Sequence, residues 1–396
     1  MQPQSTWVER LLLGASFLAL LLIGLSSMGR HWLEPWLPAV YADRFPPLTG
    51  VVSAPTHAAF SLAGAWNGDL QRGAEEWAAQ DAVQRNMLVR TFNEVAFRTF
   101  RTSYMNNRTL VIGDRNTLFE KLYVDAYCGL RVATDRAAPA PFANRLRAAQ
   151  LWFRGRGQRL VYTIAPAKTS WFPDRIGHAF PCTAEQRDKN YPRNLAALRE
   201  AGVDFVDGRA VLEAARPRAG DMFPRNGTHW NQLGSALFVQ AVVTHLRETG
   251  LTAVPEFRFT VSQDPVESGA ENDLINLANL LYPPSGAASP AIGLVPPDSA
   301  PQLRMASVND SFFYGPAWYL SAGGIFQNVD FFYYFSIFRR EYPALDNIAV
   351  NPANRADFAA ILRADVVLLE EVEERSGGPL ASQFLDFVEQ QMLLGN

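Results

Sequence analysis

Two polar segments, far apart in the chain, contain the residue types that acyl transfer requires. Residues 226–231 (NGTHWN) contain His229 and Trp230, and residues 308–312 (VNDSF) contain Ser311. A serine hydroxyl is a weak nucleophile until a base removes its proton, and histidine is the usual base. The two segments therefore indicate Ser–His acyl chemistry, with an indole beside the base that would stack on a sugar ring.

The position of Ser311 supports this interpretation. It follows a mostly apolar run at 303–308, which predicts a β-strand. Ligands of parallel α/β sheets bind beyond the carboxyl ends of the strands, so Ser311 is expected at the functional edge. The alternative is that Asp310 or Ser311 caps the next helix. Both interpretations can hold, because the N–H groups at a helix start stabilise an oxyanion.

His229 is the best candidate base among the histidines. Residues 227–234 are predicted to form a loop that leads into a helix, and catalytic groups concentrate on such loops. The alternative is a packed histidine that hydrogen-bonds inside the core. The remaining histidines have no comparable context: His31, His57, His178 and His245.

Composition restricts the class of protein. The chain has 396 residues, of which 48% are hydrophobic, so it can bury one large core or two modest ones. Its formal net charge of -3 gives no general attraction to nucleic acid. The 27 glycines and 26 prolines fit a loop-rich α/β protein better than a helical bundle.

The N-terminus predicts a membrane segment. Residues 11–29 are leucine-rich and uncharged, and Arg10 and Arg30 flank them. At ~1.5 Å per residue such a helix approaches the ~30 Å apolar thickness of a bilayer. A cleaved signal peptide and a buried core helix are the alternatives, but residues 26–28 (SSM) match a cleavage site poorly. We predict an uncleaved signal-anchor in the inner membrane, with residues 1–10 in the cytoplasm and the bulk of the chain in the periplasm.

Beyond this segment, residues 30–60 are proline-rich and predict an extended tether to a single α/β domain at 61–396. Strands alternate with helices in that domain, which predicts a mostly parallel sheet with helices on both faces. Residues 263–302 have little periodicity and are predicted to be a loop-rich excursion. The predicted strands are 109–113, 160–165, 203–206, one near Val329, and 364–369; the predicted helices are 66–100, 141–154, 195–201, 231–246 and 380–394.

Cys128 and Cys182 are the only cysteines in the sequence. In an oxidising compartment they can form one disulfide, whereas two separate buried thiols are the alternative. We predict no metal site, because the sequence offers few clustered ligands.

Several segments together resemble the periplasmic alginate O-acetyltransferases of the SGNH-hydrolase superfamily, the AlgJ and AlgX type. Each segment is short, but their order is that of the family, and His precedes Ser, unlike the order in ordinary SGNH hydrolases. The segments are 111–113 (VIG) with 118–119 (LF) and Tyr123, 165–170 (APAKTS) with 172–173 (FP), 202–203 (GV) with Asp207, 227–231 (GTHWN) with Gly234, 309–312 (NDSF), and 364–370 (ADVVLLE) with 374–375 (ER).

The resemblance implies an SGNH-like fold and an O-acetyltransferase that acts on an exopolysaccharide. Ser311 would accept the acetyl group, His229 would act as general base, and the Ser311 N–H would contribute to the oxyanion hole. Trp230 would line the sugar groove, and Lys168 matches a recurrent family position, with a surface lysine as its alternative role. No cofactor is implied, because a membrane-bound O-acyltransferase partner would supply the acetyl donor. An acetyl esterase and a non-catalytic polysaccharide-binding or scaffold subunit are the alternative functions.

The sequence departs from the family pattern at two positions. The family's usual Asp two residues before the His is replaced by Gly227, and the usual Gly before Asp-Ser is replaced by Asn309. Either another carboxylate orients the imidazole, or a Ser–His dyad suffices, or catalysis is weak. The candidates for the third group are Asp207, at a predicted strand end, and Asp221. Asn309 is a further candidate for substrate binding.

Overall fold

The computed structural model describes residues 14, 18, 35, 47–50, 66–69, 71, 85–103, 108–130, 137–177, 180, 182–183, 185–187, 190–266, 269–286 and 288–395. The chain divides into two compact units. The first is Met1–Met105 with Asn276–Pro284, and the second is Asn106–Ile275 with Ser285–Asn396. The unit that contains the main sheet begins at Asn106, whereas the sequence predicted one domain over 61–396, which stays a prediction.

In the first unit, helix α1 covers Arg85–Phe100. Along the chain after it lie β1 (Leu110–Ile112), β2 (Leu118–Glu120), α2 (Lys121–Tyr127), α3 (Pro139–Gly155), β3 (Arg159–Ala165), α4 (Lys168–Trp171), α5 (Asn190–Glu200), β4 (Phe205–Asp207), α6 (Gly208–Ala219), α7 (Gln232–Glu248), β5 (Arg258–Val266), α8 (Asp273–Leu277), β6 (Ser289–Val295), β7 (Met305–Asn309), α9 (Tyr314–Ala322), β8 (Val329–Tyr333), β9 (Phe338–Tyr342), β10 (Asp346–Ala349), α10 (Ala359–Arg363), β11 (Val366–Val372) and α11 (Pro379–Leu393). Short 3-10 helices lie at Asp114–Asn116, Pro173–Arg175, Gly269–Asn272, Ser311–Phe313, Arg355–Phe358 and Glu373–Arg375.

The main sheet has seven strands in the order β10-β9-β8-β7-β11-β3-β4. The strands from β8 to β4 pair in parallel, whereas β9 and β10 add antiparallel pairs at one edge. The predicted α/β class is confirmed, and the sheet is mixed. The predicted strand at 109–113 is not part of this sheet. It forms an antiparallel hairpin with β2, which a backbone bond from Gly113 N to Thr117 O (2.8 Å) closes.

The central strands are apolar because helices cover both faces of the sheet. Successive residues of β3 alternate between two cores: Val161 packs with residues of α7 and α9, and Tyr162 packs with residues of α3 and α11. This two-residue alternation fixes the strand register and leaves the carboxyl ends of β3, β7 and β11 at a common edge.

Residues 263–302 contain more regular structure than predicted. β5 and β6 form an antiparallel ribbon, and its register shifts between Val261 and Pro265. Between the two strands lie a 3-10 helix and α8, whose first residue is Asp273. Such a ribbon pairs only with itself, so the segment lacks the helix–strand alternation that identifies the main sheet.

Within the part of the chain that the structure describes, none of the helices has the length and apolar character needed to cross a membrane. The predicted anchor at 11–29 and the tether at 30–60 lie almost wholly outside the described residues.

Cys128 and Cys182 are joined by a disulfide, with Cα atoms 5.0 Å apart. The bridge connects the end of α2 to the segment between α4 and α5, and it closes a loop between residues 54 positions apart. The disulfide that the sequence allowed is thus present, and the alternative of two separate thiols is wrong.

Candidate active site

Three side chains form a hydrogen-bonded chain at the carboxyl edge of the main sheet. Ser311 Oγ lies 2.9 Å from His229 Nε2, and His229 Nδ1 lies 2.7 Å from Asp273 Oδ2. The carboxylate selects the tautomer with the proton on Nδ1, which leaves Nε2 to accept the serine proton. The His229 and Asp273 side chains are 23% and 31% exposed, so the chain is open to solvent at one side. This arrangement of hydroxyl, imidazole and carboxylate is that of a nucleophilic serine triad.

Ser311 is held in place by the sheet. β7 ends at Asn309, and Asp310 caps the 3-10 helix that Ser311 begins. The Asp310 carboxylate accepts hydrogen bonds from Phe312 N (2.9 Å) and from Val372 N (3.0 Å) at the end of β11. Asp310 therefore ties the nucleophile turn to the neighbouring strand. The capping alternative is confirmed for Asp310, and Ser311 stays free for His229.

Lys168 holds the loop that contains His229. Its ammonium group is buried and donates to Arg225 O (2.9 Å) and Gly227 O (2.6 Å). Burial lowers the pKa of Lys168 well below its ordinary value, while the nearby Asp273 opposes that shift. Both expectations for Lys168, substrate contact and surface lysine, are wrong, because its donors are directed at the loop backbone.

The same loop positions the acid. Asn226 O accepts the N–H groups of Leu274 (3.1 Å) and Ile275 (3.0 Å), and Thr228 N donates to Asp273 Oδ1 (2.8 Å). The segment just before His229 therefore binds the first turn of α8 directly. The family usually has an acid two residues before the histidine. In this chain the loop is instead hydrogen-bonded to α8, and Asp273 of that helix contacts the histidine.

The two carboxylates proposed from the sequence lie elsewhere. Asp207 caps α6 and accepts a hydrogen bond from Tyr191 Oη, 2.7 Å from each carboxylate oxygen. Asp221 forms an ion pair with Arg216 (2.9 Å). Both predictions for the third group are wrong. The sequence offered no periodic signal for Asp273, because it lies in the excursion between β5 and β6.

Trp230 and Asn309 are both more buried than a substrate contact requires. Trp230 is 5% exposed, and its ring packs against Phe238 (4.9 Å between centroids) and Phe312 (5.9 Å). Trp230 borders the cavity as part of the core, so it is not the exposed sugar platform we expected. Asn309 is fully buried and accepts a hydrogen bond from Ser307 Oγ (2.8 Å), so its predicted substrate contact is wrong.

A cavity of about 600 Å³ opens beside the triad. Its lining includes His229, Asp273 and Ser311, together with the aromatic residues Tyr314, Trp318 and Tyr319 of α9. The reactive hydroxyl therefore faces a space that accommodates part of a polymer and remains accessible to water.

Sequence reasoning missed Tyr334, whose hydroxyl lies near the Ser311 side chain. Burial raises the pKa of Tyr334 above its ordinary value, which keeps the phenol neutral and able to donate. Its backbone is left-handed at φ 49°, and the Arg375 guanidinium lies 5.6 Å from its ring centroid. A tyrosine in an aromatic run after β8 gave no sequence signal of this contact.

Buried carboxyl groups lie behind the nucleophile. The Glu370 carboxylate accepts a hydrogen bond from Asp310 N (3.1 Å), and the Glu371 carboxylate accepts one from Gly377 N (2.8 Å). Burial raises the pKa values of Asp310 and Glu370, and it raises the pKa of Glu371 to about 7. Among the described residues, no group of acids, histidines and cysteines is arranged to hold a metal ion.

With this geometry established, comparison with known proteins identifies the related families. Residues 122–303 match the family described as SGNH hydrolase-like domain, acetyltransferase AlgX. The matched stretch contains His229 and Asp273 and ends before Ser311. The resemblance to the AlgJ and AlgX type is thereby confirmed.

Named relatives are similar over part of their length. The chain is 34% identical over 149 residues to the probable alginate O-acetylase AlgJ of Pseudomonas aeruginosa, which is 36% of this chain and 37% of that protein. It is 35% identical over 85 residues to the AlgJ protein of Pseudomonas syringae pv. tomato, which is 22% of this chain and 21% of that protein. The chain thus matches little more than a third of the first relative. The solved O-acetyltransferase domain of Pseudomonas putida AlgJ is 20% identical, with a TM-score of 0.45 over 71% of this chain and 99% of that chain.

Proposed function

We propose that this protein is a membrane-anchored periplasmic O-acetyltransferase that moves an acetyl group through Ser311 to a hydroxyl of an exopolysaccharide. The observation that supports this most directly is the contact of His229 with Ser311 on one side and Asp273 on the other. The match of residues 122–303 to an acetyltransferase domain supports acetyl as the transferred group. The contact of Asp273 with His229 supports a triad over a Ser–His dyad or a catalytically weak site.

In the first half-reaction, His229 Nε2 takes the Ser311 proton while Oγ attacks the acetyl carbonyl carbon. The Oγ–carbon bond forms, the bond to the donor's leaving group breaks, and the leaving group receives the proton from His229. Asp273 stabilises the transient imidazolium, as the acid of a serine triad does. The Ser311 N–H and the Tyr334 hydroxyl are the proposed donors to the developing oxyanion.

In the second half-reaction, the acceptor replaces the leaving group. His229 removes a proton from a sugar hydroxyl, whose oxygen attacks the acetyl-enzyme, and Ser311 regains its proton as the sugar ester departs. Water in the open cavity competes as acceptor, which makes an acetyl esterase the nearest alternative function. The protein needs no cofactor of its own, and a membrane-bound O-acyltransferase partner would deliver the donor.

The periplasmic location and the inner-membrane anchor are parts of the same proposal. The uncharged segment at 11–29 supports an anchor, and the Cys128–Cys182 disulfide supports an oxidising compartment. Labelling of the full chain in intact cells and spheroplasts with a membrane-impermeant reagent tests the orientation. Protection of the Asn106–Asn396 part from outside reagent in spheroplasts would contradict it.

Turnover of 4-nitrophenyl acetate by the full chain in detergent, with and without oligosaccharide, tests the chemistry. We expect Ser311→Ala to lower kcat/KM at least ~10³-fold, because the nucleophile is lost. The control is Ser382→Ala, a serine at the start of α11, which we expect to keep full turnover. Turnover that survives Ser311→Ala would favour the non-catalytic scaffold instead.

A further inference from the structure

Among the described residues, one buried hydroxyl at the wall of this cavity lacks a hydrogen-bond partner. Ser235, in α7, is 3% exposed, and within the described part of the chain its Oγ makes no hydrogen bond. The residue lines the cavity that Ser311 also lines. Because an unpaired buried hydroxyl costs free energy, its persistence at a cavity wall indicates a bound group that pairs with it.

Gly315 lies close to this hydroxyl. A Cβ atom at Gly315 would lie 2.5 Å from Ser235 Oγ, closer than side chains approach. Gly315 belongs to α9 and lines the same cavity. A residue with a side chain at position 315 would thus clash with the Ser235 hydroxyl.

Trp318 supplies an exposed aromatic face in the same cavity. It is 48% exposed, whereas Trp230, which also lines the cavity, is 5% exposed. Its ring contacts Tyr319 edge-on at 5.1 Å between centroids, which restricts its orientation. A half-exposed indole beside a hydrogen-bonding group is suited to a pyranose ring, whose C–H face stacks while its hydroxyls bond.

The charge at the cavity wall bears on the kind of sugar. The Asp273 carboxylate lines the cavity and is 31% exposed. That carboxylate is already paired with His229. None of the described residues that line the cavity is a lysine or an arginine, so a uronate bound there would have no cationic partner for its carboxylate. A neutral pyranose needs none.

We infer that this cavity is the acceptor subsite and that it takes a neutral pyranose, stacked on Trp318 and hydrogen-bonded to Ser235. The inference rests on the proposed function, since the bound sugar must present its hydroxyl to the acetyl group on Ser311. The acceptor is therefore a polysaccharide with uncharged residues at the acetylated position, in contrast to a polyuronate such as alginate.

Acetyl transfer from 4-nitrophenyl acetate to hexasaccharides, measured by mass spectrometry on the full chain, tests the inference. The neutral probes are cellohexaose, mannohexaose and chitohexaose, and the charged probe is a mannuronate hexamer. We expect transfer to at least one neutral probe and at least about tenfold less to the charged one. The ratio of transfer to hydrolysis should fall about tenfold in Trp318→Ala, less in Trp318→Phe, and about fivefold in Ser235→Ala.

Stability and direct binding provide the controls. Ser235→Ala removes an unpaired group without adding bulk, so its melting temperature should equal or exceed that of the parent protein. Trp66→Ala, at an indole that is 95% exposed in the first unit, should leave the ratio unchanged. Calorimetry with the accepted neutral hexamer on the Ser311→Ala protein should show weaker binding when Trp318 is also replaced.

Three results would overturn the inference while leaving the function intact: transfer that prefers the mannuronate hexamer, transfer to none of the neutral hexamers, or ratios unaffected by Trp318→Ala and Ser235→Ala. Failure of the proposed function has a different signature, because the Ser311→Ala protein would then keep its ester turnover. The calorimetric measurement does not depend on turnover, so it tests the subsite in either case.

Discussion

Ser311 and Asp273 contact the same imidazole from two regions that are built differently. Ser311 follows a buried strand, and its turn is tied to β11 through Asp310. Asp273 begins a short helix in the excursion, which Asn226 O holds through two backbone bonds. On the sheet side, the contacts that position the site also stabilise the fold. On the excursion side, the acid is attached to the base loop, so its loss should affect catalysis far more than folding.

The two regions also differ in electrostatics. The carboxyl groups behind Ser311 are buried, and burial raises the pKa values of Asp310, Glu370 and Glu371. The Asp273 carboxylate is 31% exposed and is paired with His229. We therefore expect pH to change the stability of the sheet region through these buried carboxyl groups.

The largest expected effect is the loss of the acid in Asp273→Asn. The amide cannot hold His229 in the required tautomer, so kcat/KM for acetyl ester turnover should fall about 10³- to 10⁴-fold. The unfolding free energy should change by less than about 1 kcal/mol, because Asp273 is partly exposed. Ester kinetics and urea unfolding measure the two quantities.

Asp207→Asn and Asp221→Asn are matched controls for that substitution. Both acids have partners other than His229, so their kcat/KM should stay within about threefold of the parent protein. A loss in either control as large as that of Asp273→Asn would contradict the assignment. So would a large loss of stability in Asp273→Asn, since the excursion would then be as coupled to folding as the sheet.

The sheet side of the site was predictable because its signals are local. An apolar run ending at Val308 predicted the strand, and the strand end located Ser311 at the functional edge. A loop before an amphipathic helix identified His229 in the same way. The disulfide followed from a pair of cysteines that had one possible partner each.

The other parts depend on tertiary contacts that no local pattern encodes. Asp273 reaches His229 because α8 is bound to Asn226 O, a backbone bond between residues far apart in sequence. Lys168 and Trp230 are identifiable as residue types, but their burial depends on how the loops pack over the sheet. The exposed indole at Trp318 was not distinguishable by sequence from the buried one. Periodicity thus predicts which residues end a strand, whereas tertiary packing determines which side chains contact those residues.

The second-largest expected effect is a dependence of the unfolding free energy on pH, which arises in the sheet region. In the folded protein the pKa of Glu371 is raised from 4.5 to about 7, chiefly by burial. Between these values the unfolded chain releases the proton while the folded protein keeps it. The unfolding free energy should therefore fall as pH rises from about 5 to about 7, by about 3 kcal/mol from this group, and level off above.

Urea unfolding at pH 5 to 8 measures this dependence, and Glu371→Gln, which does not titrate, should make it shallower. Asp310 and Glu370 shift in the same direction, so part of the slope should remain. A stability that rises over this range, or a slope unchanged in Glu371→Gln, would show that the buried carboxyls of the sheet do not control it. The sheet region and the excursion would then differ in how they hold Ser311 and Asp273, and not in how their stability depends on pH.

The smallest expected effect separates positioning from folding within the sheet itself. Asp310→Asn presents one oxygen where two N–H groups, of Phe312 and Val372, now donate to a carboxylate. One buried donor loses its acceptor, so the unfolding free energy should fall by about 2 kcal/mol.

Asp365→Asn is the matched control, because Asp365 Oδ2 accepts a hydrogen bond from Arg304 N (2.8 Å) at the opposite end of the same strands. We expect Asp365→Asn to change stability little, because its one amide oxygen still accepts the one N–H. Only Asp310→Asn should lower kcat, about tenfold, because Ser311 lies beside Asp310 and far from Asp365. Equal kcat losses would mean that the sheet transmits the disturbance along its strands, and that the nucleophile turn is not held locally by Asp310.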